Sequence, residues 1–339
     1  MRAVGYTESL PITSEHALVD LDIPAPEPGP HDLIVRVAAI SVNPVDAKMR
    51  KRTKPQPGVP QILGWDAVGI VERTGAQASL FKPGDRVWYA GSIARPGANS
   101  MLHAVDERIV GTAPRTLDDA AAAALPLTAI TAWEMLFDRL GLTPGDSKRT
   151  GTLLIIGGAG GVGSIAIQLA RRLTGLTVIA TASRPETQAW VRDLGAHHAI
   201  DHAKPLSQEL KRIGIASADL IFSTNQSDHH WPEIVEAVSP QGHVGLIDDP
   251  EPIDVRLLKR KSVALHWELM FTRALFATED MIAQHRLLNE VARLVDAGIL
   301  RSTVADNHGR INAANLRRAH ALIESNRAKG KIVLSGWEG

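Results

Sequence analysis

Apolar and polar positions follow two different rhythms along the chain, and the change falls near residue 150. Before it, short β-branched runs alternate with turn signals: "LIVRVAAISV" (33–42), "AVGIVERTG" (67–75), "GDRVWYAG" (84–91) and "DERIVGT" (106–112). Proline and glycine cluster between them, as in "IPAPEPGP" (23–30) and "KPQPGVP" (54–60). This spacing predicts irregular, mostly antiparallel β structure. The stretch 116–137, "TLDDAAAAALPLTAITAWEMLF", is helical by propensity, with Thr116 as the expected N-cap and a break at Pro126.

Beyond 150, strands and helices alternate. "TLLIIG" leads into "SIAIQLARRL" and "LTVIATA" into "ETQAWVRDLG", while "ADLIFS", "GHVGLID" and "SVALHWEL" continue the series. Short continuous apolar strands between helices predict an α/β fold, a doubly wound parallel sheet covered on both faces. Residues 279–298 read as one long amphipathic helix, and "KGKIVLSG" (329–336) as a closing strand. At 339 residues the chain is long enough for two domains.

Composition narrows the partners. Lys+Arg and Asp+Glu are both 37, so the net charge is zero and nothing favours nucleic acid or an acidic membrane surface. The expectation is no nucleic-acid partner and no membrane partner. With no cysteine, disulfides, thiol nucleophiles and thiolate metal sites are excluded. A polar N-terminus and the lack of any apolar run near 18 residues predict a cytoplasmic protein.

The chemistry begins at Gly158-Ala159-Gly160-Gly161-Val162-Gly163, a G-x-G-x-x-G sequence directly after a predicted strand and opening a predicted helix. Gly158, Gly160 and Gly161 permit a tight turn and let backbone N–H groups, that of Val162 included, approach a pyrophosphate. Gly163 lets the helix pack on the strand, and the helix dipole favours the anion. The expected ligand is a dinucleotide. At the end of the second strand, where an acid would hold the ribose 2′-OH of NAD, stand Ser183 and Arg184, with no carboxylate until Glu186. A guanidinium pairs well with phosphate oxygens, so NADPH is the expected cofactor. The alternative is that Arg184 is only a solvent-facing loop residue.

These motifs, with "SVNPVDAKMR" (41–50), "ILGWDAVGIV" (62–71), "ALPLTAITAWEMLFDRL" (124–140) and "KGKIVL" (329–334), resemble the medium-chain dehydrogenase/reductase superfamily. The likeness is to its quinone oxidoreductase branch and the group of zinc-type alcohol dehydrogenase-like proteins. The resemblance implies a chaperonin-like, mostly-β catalytic domain over 1–123, an NADPH-binding Rossmann domain over 124–272, and a return to the first domain over 273–339. It implies that Asn43, Asp46 and Thr128 lie around the nicotinamide and substrate, with Trp65 as an apolar wall. It places His202 against the adenosine phosphate, Ile247 and Phe271 along the cofactor, and Lys331 among the cofactor contacts. Simpler roles suit some of these residues. Asn43 before Pro44 suits a turn cap, Asp46 a helix cap, and Thr128 helix packing.

No metal is expected. A catalytic zinc needs three protein ligands and an open position. Zinc-bearing relatives have Cys where this chain has Asn43, and Gly-His-Glu where it has Gly64-Trp65-Asp66. The pairs His198/His202 and His229-His230 read as surface and loop residues. Without a Lewis acid, hydride transfer suits an acceptor that needs little activation, a quinone or an α,β-unsaturated carbonyl. The expected partner is therefore a small-molecule electrophile. Alternatives are an alcohol or aldehyde dehydrogenase-type reductase, and an NADPH-binding structural protein. Hydrolysis is excluded by the lack of a G-x-S-x-G elbow. The alternating edge strand Val263, Leu265, Trp267 predicts a homodimer. Met101 stands where similar sequences have an acid, and facing the substrate there would favour apolar compounds.

Overall fold

Before residue 113 the chain lays down β1 (Arg2–Tyr6), β2 (Val19–Asp22), β3 (Asp32–Val42), β4 (Gln61–Ile62), β5 (Ala67–Thr74), β6 (Arg86–Tyr89), β7 (Leu102–Asp106) and β8 (Val110–Thr112). Helix α1 (Pro44–Arg52) follows β3. Strand β3 is central because its sequence is apolar on both faces: only Arg36 and Ala38 escape burial. This is a computed structural model, and it describes residues 1–337.

Two short helices come next, α2 (Asp119–Ala123) and α3 (Pro126–Trp133), the latter continuing as a wider π turn over Glu134–Arg139. Asp118 caps α2 by accepting from the Ala121 N–H. Thr116, the expected cap, instead donates its backbone N–H and hydroxyl to Asp296. Asp119–Arg139 is long and apolar enough to cross a bilayer, but 83% of its most apolar window is buried, as in a core helix.

The parallel half is built from β9 (Thr152–Ile156), α4 (Gly161–Leu173), β10 (Thr177–Thr181), α5 (Pro185–Asp193), β11 (His198–Ile200), α6 (Leu206–Arg212), β12 (Ala218–Ser223), α7 (Ser227–Ala237), β13 (Val238–Leu246) and β14 (Ala264–Trp267). Its strand order is β11-β10-β9-β12-β13-β14, every pair parallel. The order reverses between β9 and β12, where open α/β sheets bind ligands. His229 and His230 lie in α7 rather than in the expected loop.

Helices α8 (Thr272–Phe276) and α9 (Ala283–Asp296), strand β15 (Val304–Asn307), helix α10 (Ala313–Glu324) and strand β16 (Lys331–Ser335) complete the described chain. Strands β15 and β16 join the first half in a mixed sheet ordered β15-β16-β3-β5-β6-β8, with β7 also paired to β3. The chain therefore forms two compact units. One comprises Met1–Ile130 and the chain from Phe271 onward, the other Thr131–Met270. Residues 124–130, expected to open the Rossmann domain, group with the first unit.

Candidate active site

Sheet register assembles the polar centre of the first unit. Ile332 of β16 pairs with Val42 of β3, and Ile40 of β3 pairs with Ala67 of β5. Lys331, Asn43 and Asp66 each lie one residue from those paired positions, so three distant segments meet at one end of three adjacent strands. Each of the three is at most 3% exposed. Asp66 Oδ2 accepts from Ser41 Oγ at 2.8 Å, Asn43 Nδ2 at 2.8 Å and Lys331 Nζ at 3.0 Å. Its Oδ1 accepts from the Leu127 N–H at 2.7 Å, at the N-terminus of α3, where the helix dipole favours a negative charge.

Lys331 also donates to the Val42 carbonyl at 3.3 Å and to Asn43 Oδ1. An ammonium has three N–H donors, and three acceptors surround this one. Lys331, expected among the cofactor contacts, is thus held inside the first unit by these three acceptors. Asp46 is engaged likewise. Its Oδ2 accepts from the Asn43 N–H at 2.6 Å and its Oδ1 from the Gly64 N–H at 3.0 Å, so it caps α1 and ties down the Gly64 turn. Burial pushes its carboxyl up to about 7, opposed by those two N–H groups and by Lys331.

Trp65 is fully buried; its indole N–H donates to the Ser92 carbonyl, and its ring meets Phe271 edge-on at 6.3 Å. Trp65, expected as an apolar wall, thus packs against Phe271, the residue expected along the cofactor. Thr128 is buried and donates its hydroxyl to the Leu125 carbonyl at 3.1 Å, the helix-packing role weighed for it. Met101 lines an open groove of about 600 Å³ with Arg36, Arg310 and Trp337, which no member of the Asn43 cluster lines.

The donor set does not fit zinc. Asn43 and Asp66 offer oxygens only, Trp65 offers a donor rather than a ligand, and a lysine ammonium stands among them. Among the described residues no group of three or more His, Cys, Asp or Glu side chains could hold a metal ion.

The second unit builds the glycine loop between β9 and α4. Gly160 is the N-cap of α4 and supplies no side-chain cap, so the first N–H groups of the helix have no side-chain acceptor. A Cβ on Gly163 would stand 2.4 Å from the Gly157 carbonyl oxygen and 2.6 Å from Gly158 Cα, which is why only glycine lets α4 start this close. Gly161 and Val162 form the first turn of α4.

Parallel register carries the other expected contacts to the same end of the sheet. Thr181 pairs with Ile200 and Ser223 with Leu246, so Ser183, His202 and Ile247 all follow the carboxyl ends of their strands. Thr181 Oγ1 accepts from the Gly157 N–H at 3.0 Å and lies 3.2 Å from His202 Nδ1, linking the glycine loop to that histidine. Burial lowers the His202 pKa. Arg184 Nε lies 3.2 Å from Glu186 Oε1 at the start of α5. Sequence reasoning missed the closed Asp66–Lys331 pair, although each stands as a lone charge at the head of a buried apolar strand.

A GroES-like mixed sheet and a Rossmann sheet on one chain define a class of oxidoreductase, and the chain belongs to the medium-chain dehydrogenase/reductase superfamily. Residues 29–114 match the alcohol dehydrogenase GroES-like domain, and residues 194–334 match the zinc-binding dehydrogenase family. Within the superfamily the chain is 40% identical to the zinc-type alcohol dehydrogenase-like protein of Staphylococcus epidermidis, over 99% of each chain. A Rhizobium etli CFN 42 structure described among the zinc-dependent alcohol dehydrogenases is 55% identical, with a TM-score of 0.95 over 100% of this chain and 99% of that one. The Escherichia coli quinone oxidoreductase, solved with NADPH, shares the fold at 23% identity, with a TM-score of 0.84 over 99% of this chain and 100% of that one.

Proposed function

We propose that the protein transfers hydride from NADPH to a quinone or an α,β-unsaturated carbonyl without zinc. The observation that carries this reading is the set around Asn43, where a lysine ammonium and a paired carboxylate stand and, among the described residues, no metal-ligand cluster does. Acceptors that take hydride without a Lewis acid suit such a site. The choice of NADPH is supported by Ser183 and Arg184 at the end of β10 and by the E. coli structure's cofactor. When bound, NADPH supplies the hydride. Gly160, Gly161 and Val162 would hold its pyrophosphate, and Ser183 and Arg184 its 2′-phosphate.

The test is NADPH oxidation across quinones, enones, enals and simple aldehydes, before and after exhaustive chelation. Turnover of quinones or enones that survives chelation is expected. Turnover confined to simple aldehydes and lost with zinc would overturn the reading. NADPH binding without turnover of any acceptor would favour the structural role instead. We propose further that a second copy of this chain pairs with the open edge of β14, where Trp267 and Leu269 are about half exposed.

A further inference from the structure

We propose that the ammonium of Lys331 is the resident cation of the Asn43–Asp66 cluster and closes that position to metal ions. The inference deepens the zinc-free part of the proposed function and rests on that reading. Three oxygens converge on Nζ: the Val42 carbonyl, Asn43 Oδ1 and Asp66 Oδ2. Asn43 turns its amide so that oxygen faces the ammonium while nitrogen donates to Asp66 Oδ2 and to the Trp65 carbonyl. That orientation gives the nitrogen oxygens to donate to and leaves the amide oxygen for the ammonium. Asp66 also receives Ser41 Oγ on Oδ2 and the Leu127 N–H on Oδ1, so both its oxygens are engaged.

A metal ion entering here would have to displace a tethered cation that already satisfies three oxygens. It would find no imidazole or thiolate in return, because position 65 is tryptophan and the chain has no cysteine. Lys331 is thus a positioning residue. It fixes the Asn43 amide and neutralises Asp66 inside the sheet, 265 residues away in sequence. Removing the side chain beyond Cβ should leave a hole lined by the same oxygens and shaped for a three-carbon primary ammonium.

Three measurements test this, none of which uses turnover. Wild-type protein incubated with excess zinc and then dialysed should retain well under one equivalent by elemental analysis. Lys331→Ala should melt lower by on the order of 10 °C. Propylammonium chloride should recover part of that loss, whereas equal tetramethylammonium chloride or propanol should not. Should Lys331→Ala fail to fold, Lys331→Met and the double variant Lys331→Met/Asp66→Asn take its place. The double variant, with both charges gone, should melt above Lys331→Met alone.

Stoichiometric zinc in the wild type would overturn the assignment. So would a Lys331→Ala protein as stable as wild type or indifferent to propylammonium, or a double variant no better than Lys331→Met. A protein that passes these tests yet oxidises no NADPH loses the proposed function alone. One that turns over NADPH after chelation but fails the melting tests loses only this assignment.

Discussion

The carboxylate of Glu186 lies 3.2 Å from Arg184 Nε, so the guanidinium proposed to receive a 2′-phosphate already has an acidic neighbour. Both side chains are partly exposed, so the pair itself adds little stability. Its consequence is for selectivity. Arg184→Ala should weaken NADPH binding by about 1–3 kcal/mol, the scale of a charge-assisted hydrogen bond, and leave NADH nearly unchanged. Glu186→Gln should act oppositely and tighten NADPH several-fold by freeing the guanidinium. Fluorescence titration of both cofactors reads both effects, and an Arg184→Ala protein that kept its preference would remove Arg184 from the site. The place of Arg184 just past the second parallel strand was legible in the sequence because it depends on a short, local count from the glycines. Lys331 was not, because its partner Asn43 lies 288 residues away and only sheet register brings them together.

Among elements, the turn from β9 into α4 separates two jobs that glycine performs. A Cβ on Gly163 would collide with backbone, which cannot move aside cheaply, whereas one on Gly160 would meet only the Gly157 carbonyl oxygen at 3.4 Å. Gly163→Ala should therefore destabilise the fold by about 1–3 kcal/mol, as overpacking does. Gly160→Ala should keep the wild-type melting temperature yet lose NADPH affinity, because the methyl group stands where the pyrophosphate approaches the helix. Differential scanning fluorimetry beside cofactor titration distinguishes them, and equal losses of stability would refute the division. The parallel half was readable because its strands are continuous apolar runs punctuated by glycine. The start of α7 was not, since Ser227, Asp228 and Pro232 look like loop chemistry until Ser227 is seen bonded to Asp248. In the first half, Asp46 fitted a cofactor-side residue and a helix cap equally well by type, and only the fold shows the two backbone N–H groups it receives.

Across the whole molecule, buried histidines set the response to acid. Burial pushes His103 and His230 down to about 4 and His320 down to about 3. Between pH 6.5 and 4 the unfolded chain binds these three protons and the folded chain does not, so stability present above pH 6.5 is lost as pH falls. Asp46, pushed up to about 7, works the other way over much of the same window, but it is one proton against three. The melting temperature should fall steadily from pH 7 to 4.5, and His320→Leu should make the fall shallower. A flat or rising profile would contradict the burial of these rings. For assembly, Trp267→Glu should convert a sedimenting dimer to a monomer without lowering NADPH affinity, if β14 pairs with a second copy as proposed.

The first unit is stitched from both ends of the chain, with β16 lying beside β3. During synthesis, Asn43 and Asp66 leave the ribosome long before Lys331 is translated. Until then Asp66 has no buried counter-charge, and β3 presents an open edge where β16 will dock. The central unit, continuous in sequence, has every strand of its sheet in hand as soon as Trp267 has emerged. Vectorial folding should therefore complete the parallel-sheet half first and hold the other half unfinished until β16 arrives. A stop codon just before Lys331 would leave that half permanently unfinished, and such a truncated product should be a substrate for proteolysis even though it keeps every residue through Gly330.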